Sequence, residues 1–189
     1  MEGRQELFVF GTDWNNKPLS ELTARIVVAH HDRFRLELPA LRGAAREVYA
    51  CHCHRDFARL APLPGLLFRL EDELGRHMRR EEKTIFPVIT ALERAAEGRE
   101  PMAANRCTKS LISATLSEHD DILDLLAEAR QMTGNYEPPP NAGEQYRLLL
   151  QRFESLDRDL NLHIGMENDS IFSRALSLAH QWQEAHYRV

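Results

Sequence analysis

Little in this chain suggests a secreted or membrane protein. Its three cysteines, Cys51, Cys53 and Cys107, are an odd and sparse set that makes no disulfide framework. No apolar run approaches the roughly 20 residues that a membrane span needs. The one apolar patch near the start, Leu7 to Phe10, is short and has acids on both sides, which are the wrong length and flanks for a signal peptide. Positive charge is also scarce. The 24 Lys and Arg residues are scattered among 29 acids, for a net charge of −5, so there is no basic field to hold nucleic acid or an anionic membrane. No glycine-rich phosphate loop, dinucleotide fingerprint or Ser-His-Asp arrangement can be picked out, which leaves kinase, nicotinamide and hydrolase chemistry without support. The expectation is a cytoplasmic protein with neither nucleic acid nor membrane as partner.

What the chain does have is helical periodicity. β-branched residues are dispersed, and apolar positions recur at spacings of three and four, as in Leu66, Leu67, Leu70 and Leu74, which is the signature of an all-α fold. Turn signals divide the chain into four long segments, near 19–50, 63–97, 106–133 and 142–178. The second begins after Ala61-Pro62-Leu63-Pro64-Gly65 and the fourth after the triple proline Pro138-Pro139-Pro140, which no helix can cross. Pro39 lies inside the first segment and is expected to bend it. Four such segments make an antiparallel four-helix bundle. Residues 19–178 are expected to form it, with 1–18 as an N-terminal extension and 179–189 as a tail.

Two of these segments carry the same pattern. Glu73, His77, Glu81 and Ile85 fall at successive intervals of four in the second, and Asp159, His163, Glu167 and Ile171 do so in the fourth. Each set therefore lies along one helix face that ends in the apolar core. The first and third segments each carry a His-Asp pair, His31-Asp32 and His119-Asp120. The chain thus reads as an internal duplication of a helix pair. Each half offers one histidine from its first helix and a His-x-x-x-Glu from its second, and packing two halves about a pseudo-twofold axis directs all six residues at one centre. Imidazoles donate nitrogen terminally, while two glutamates can bridge a pair of cations and offset part of their charge. The alternative is a set of core polar residues bonded to one another. Leaving one buried polar group unsatisfied costs about 1–3 kcal/mol, so six together approach the ~5–15 kcal/mol stability of a whole domain. The nitrogen and oxygen donors favour iron, and ligand type alone also admits manganese and zinc.

Glu73 and Asp159 precede the histidines by one turn. Either they accept the second ring N–H of His77 and His163, or they are solvated acids paired with arginines such as Arg76 or Arg158. His30 is expected to point about 100° away from His31, either behind the ligands or into solvent, and His180 and His186 to lie solvated in the tail. Phe34, Phe86, Phe172, Met78 and Met166 are expected to pack around the site.

These residues resemble those of the iron–sulfur cluster repair di-iron proteins, a branch of the hemerythrin-like cation-binding group. The likeness runs from about Trp14 to Ala175. It passes through His31-Asp32-Arg33-Phe34-Arg35, His77-Met78 with Glu81-Glu82, Ile85-Phe86-Pro87, Glu118-His119-Asp120, Pro138-Pro139 and His163-Ile164 with Glu167-Asn168. The resemblance implies a carboxylate-bridged, non-haem di-iron site with His31, His77, Glu81, His119, His163 and Glu167 as ligands. It also implies a further ligand near the end of the first helix, where this chain has His52. Against that, His52 and His54 flank Cys53 in Cys51-His52-Cys53-His54, a stretch that suits an exposed loop or a separate zinc. Many members of the family carry a small N-terminal domain with a cysteine pair. Residues 1–18 contain no cysteine, so that domain is expected to be missing.

The function implied by the resemblance is a response to nitrosative or oxidative stress, through iron–sulfur cluster repair or the handling of nitric oxide. The partners would be a small diatomic, nitric oxide or oxygen, and iron–sulfur proteins. A hemerythrin-like oxygen binder or sensor, and a metal-storage module without catalysis, are the alternatives.

Overall fold

The computed structural model describes residues 16–52, 61–98 and 105–187. Four long helices account for nearly all of them, and there is no strand among the described residues. Helix α1 comprises Leu19–Ile26, a π-helical segment Val27–His31 and Asp32–His52. Helix α2 comprises Leu63–Arg80, a π segment Glu81–Ile85 and Phe86–Ala96. Helix α3 is Asn105–Thr133, and α4 comprises Glu144–Met166, a π segment Glu167–Phe172 and Ser173–Tyr187.

The distribution of apolar residues gives the helix directions. One core cluster contains Phe34, Leu38, Leu67, Leu70, Leu126, Phe153 and Leu160. A second contains Leu22, Ile26, Ile85, Ile89, Ile112, Ile171 and Phe172. α1 and α3 run from the second cluster to the first, whereas α2 and α4 run from the first to the second. The bundle is therefore antiparallel, and its helices pack in a closed ring, α1 on α2, α2 on α3, α3 on α4, and α4 on α1. The six sequence-predicted donors all fall between the two clusters. Each buried Leu or Phe contributes about 1.5–3 kcal/mol, so the two apolar ends hold the polar layer between them.

Pro39 does not interrupt α1, which continues to His52. It faces solvent, so the carbonyl one turn earlier that loses its helical N–H donor is free to be hydrated. The irregularity in α1 lies upstream, in the π segment that ends at His31. At the other end of the chain α4 runs past residue 178 to Tyr187. Ala179 is buried in the second cluster with Leu176 and Leu178 packed beside it, so the apolar face of the helix extends beyond the boundary expected from the pattern.

The α3–α4 connection is built on backbone that most residues avoid. Gly134, Asn135 and Tyr136 all have positive φ, at 64°, 59° and 64°, and an aromatic residue there needs external support. Buried Asp157 supplies it. The Tyr136 hydroxyl donates to this carboxylate at 2.7 Å, Arg130 donates at 2.7 Å, and the Asn161 amide donates at 2.6 Å.

Candidate metal centre

The helices deliver the six donors to one place. His77 and Glu81 on α2, and His163 and Glu167 on α4, are one turn apart, and in both helices the π segment begins at the glutamate. A π turn inserts an extra residue locally and re-aims the side chains that follow it, which is why such turns gather at functional sites. His31 closes the π segment of α1, and His119 comes from regular α3. All six side chains are buried, none more than 1% exposed.

Nε2 of His31 and Nε2 of His77 each lie 3.3 Å from Glu81 Oε2. Nε2 of His119 and Nε2 of His163 lie 3.2 and 3.3 Å from Glu167 Oε2. The donors form two sets, His31, Glu81, His163 and Glu167, and His77, Glu81, His119 and Glu167, each with its donor atoms within 4.8 Å of one another. Both glutamates belong to both sets. Both carboxylates, together with Nε2 of His31 and of His163, lack any hydrogen-bond partner. Buried acceptors facing each other with no proton donor between them are a poor apolar core and a good cradle for two cations.

Electrostatics agrees. Burial pushes the Glu81 carboxyl well above the ordinary carboxylate range, and the facing Glu167 charge pushes it further. Burial also raises Glu167, with His119 opposing. Burial lowers His31 to about 4, against the pull of Glu82, and lowers His163 strongly, helped by its imidazole neighbours. At neutral pH the metal-free centre therefore presents His31, His77 and His163 as neutral imidazoles, ready to ligate, beside a carboxylate pair that holds its protons to higher pH than a free glutamate does. Cation binding at pH 7 is expected to release protons, and these come from Glu81 and Glu167 because His31 and His163 have none to give. Calorimetric titration of ferrous ion in two buffers of different ionisation enthalpy measures the release, and zero net exchange would contradict it.

The second ring nitrogens are held by neighbouring helices. Nδ1 of His31 bonds Glu82 on α2 at 2.7 Å, Nδ1 of His77 bonds Glu118 on α3 at 3.1 Å, and Nδ1 of His119 bonds Asn168 on α4 at 2.8 Å. Such contacts fix the tautomer that leaves Nε2 free for a metal. Glu82 also accepts from Arg35 at 2.6 Å, and Glu118 from Arg80. Burial alone would raise the Glu82 carboxyl, but its bonds to His31 and Arg35 outweigh this and hold it below its usual range. Glu73 and Asp159 do not fill these roles: Glu73 pairs with Arg76 at 2.5 Å and Asp159 with Arg33 at 2.8 Å. A residue one turn back on the same helix looks along the axis, whereas Nδ1 points sideways to the next helix.

Phe86 stacks on His31 and Phe172 on His119, with ring centroids 5.9 and 5.8 Å apart, as a duplicated chain requires. Phe34 meets His163 edge-on at 5.5 Å, and Met78 and Met166 are buried in the flanking clusters. His30 is buried rather than turned away, its ring 5.4 Å from that of His163. His180 is exposed near Glu184. Cys51 is exposed. The side chains of His52, Cys53, His54, Cys107 and His186 lie outside the described residues, and with them the sequence expectation for His52.

The Hemerythrin family, described as the hemerythrin HHE cation binding domain, matches residues 22–175. The chain belongs to this family. Relatives of this hemerythrin-type chain include the iron-sulfur cluster repair protein YtfE of Cronobacter sakazakii, 35% identical over 165 residues that make up 87% of this chain and 69% of the relative. The proteins of the same name from Escherichia coli O1:K1 and Escherichia fergusonii are each 34% identical over 87% of this chain and 70% of their own. The four-helix bundle expected from the helical segments, hemerythrin-like as the resemblance implied, is thus the fold observed, and its buried donors suit the di-iron pair this family binds. No helix among the described residues is long and apolar enough to cross a membrane.

Proposed function

We propose that this chain holds two non-haem irons between His31, His77, His119 and His163, bridged by Glu81 and Glu167, and that it serves in the cytoplasm to repair iron–sulfur clusters under nitrosative or oxidative stress. The observation that carries the ligand set is the sharing of both buried glutamates by both donor sets. The YtfE relatives, named for cluster repair, carry the role. An iron pair supplies electron exchange with a small diatomic such as nitric oxide or oxygen, and a source of iron for a damaged cluster. The protein's own part is to keep four imidazoles buried and aimed, to hold two carboxylates together, and to exclude water with the two apolar clusters. Glu82 with Arg35 and Glu118 with Arg80 form partly exposed ion pairs at the outer edge of the site.

The test is elemental analysis of protein purified without air. Native chain is expected to hold about two irons and to restore activity to an enzyme whose cluster has been damaged. A His77→Ala, His163→Ala double variant is expected to lose both the iron and the restoration. One zinc, or equal metal in both proteins, would overturn the ligand set. Iron that reacts reversibly with oxygen and restores no cluster would favour an oxygen binder instead, and iron inert to both gases a store.

A further inference from the structure

Around the bundle, three of the four donor histidines take an Nδ1 acceptor from the next helix: His31 from α2, His77 from α3 and His119 from α4. The ring closes with His163, whose acceptor would come from α1. The internal duplication says which residue that is. Glu118, immediately before His119, serves His77, so the residue immediately before His31 should serve His163. That residue is His30. It is buried, and its imidazole ring lies beside that of His163 at 5.4 Å with a 38° tilt. No acceptor is supplied: Nδ1 of His163 is buried without a hydrogen-bond partner. Asp159, the nearest carboxylate on α4's own preceding turn, is engaged by Arg33.

The two donor sets are consequently unequal. In the set of His77 and His119, both imidazoles are held, by a carboxylate and by an amide. In the set of His31 and His163, only His31 is. We propose that His30 makes one metal position labile: the position between His31 and His163 holds its cation less tightly than the position between His77 and His119 and releases it first. The inference rests on the proposed ligand set and adds to it which of the two cations is available for donation. An imidazole whose second N–H is bonded to a carboxylate is more basic and better oriented, and removing such a partner commonly lowers metal affinity about 10–100-fold. A chain meant to give up iron without losing its whole centre gains from having one such position.

The experiment uses full-length protein loaded with ferrous iron under nitrogen, assayed by elemental analysis, then mixed with excess chromophoric ferrous chelator. Native protein is expected to release iron in two phases of equal amplitude, with rates about 10-fold apart or more. His30→Glu places a carboxylate where the duplication puts Glu118 and is expected to slow the fast phase toward the slow one. The reciprocal change, Glu118→His, copies the His30 arrangement into the other half and is expected to speed the slow phase toward the fast one, so either variant decides the matter if the other does not fold. Two irons leaving in a single phase, or a fast phase that neither substitution moves, would overturn the inference while leaving the ligand set intact. Fewer than two irons in the loaded native protein would overturn the ligand set itself, and the inference with it.

Discussion

Glu81→Gln is expected to make the metal-free chain more stable and the iron-supplied chain less stable, a reversal of sign from one atom's replacement. In the metal-free protein the Glu81 and Glu167 carboxylates are fully buried and face one another with no donor between them. At pH 7 such a pair either buries a charge without a partner or keeps a proton that the unfolded chain gives up, and either costs about 3 kcal/mol. The amide carries no charge, and its N–H groups can donate to the Nε2 lone pairs of His31 and His77, each 3.3 Å from the present carboxylate. For a chain of 189 residues, a gain of about 3 kcal/mol is a rise of roughly 6–12 °C in melting temperature.

The pH dependence has a definite direction. A glutamate raised in the folded state binds a proton more tightly folded than unfolded, so stability from this pair is full below the ordinary carboxylate pKa of 4.5 and is lost as pH rises above it. The advantage of Glu81→Gln should therefore be large at pH 7 and shrink as the pH falls toward 4.5. With iron present the order inverts, since the cations now neutralise the native pair and binding stabilises only the chain that can bind. Melting curves at pH 7 and pH 5, with and without chelator, check these three expectations. A metal-free variant that melts below the native chain at pH 7 would mean that the carboxylates are satisfied in some other way.

Much of this site was legible because its chemistry follows helical spacing. His77 and Glu81, or His163 and Glu167, share a face at an interval of four, and the repetition of that interval in two halves exposes the duplication. What was not legible depends on the neighbouring helix. Glu82 and Asn168 follow the donor glutamates and look like surface residues on their own helices, yet each reaches the histidine of the helix before it in the ring. His30 sits next to His31 and by regular helix geometry should point about 100° away. It is buried against His163 because the π segment Val27–His31 alters the register just there. Nothing in the composition of Val27-Val28-Ala29-His30-His31 announces a π turn. Pro39 illustrates the converse: a strong local signal for a break that the helix runs through, with the proline on its solvent face.

The far end of the bundle holds a polar feature of a different kind, and Asp157→Ala should show that it serves the fold alone. Asp157 lies about two helical turns before His163, with Arg130, Tyr136 and Asn161 all donating to it. Its removal leaves the Tyr136 hydroxyl without its acceptor, on backbone whose φ is already 64°, so the loop loses its side-chain tie to α4 and keeps only local bonds such as that from the Tyr136 N–H to the Thr133 hydroxyl. Arg130 is about one-third exposed and can turn to water, which limits the loss. Bonds to a charged group contribute about 1.5–3 kcal/mol each, and with one donor rehydrated the expected cost is about 3 kcal/mol, read as a lower urea midpoint. Asp157→Asn keeps an acceptor for Tyr136 and should cost less. In both variants iron content should stay at the native value, because Leu160, fully buried in the apolar cluster, lies between Asp157 and His163 on α4. Loss of iron in parallel with stability would mean that the α3–α4 connection sets the height of His163 and Glu167 in the bundle, and that the centre and the loop form one cooperative unit.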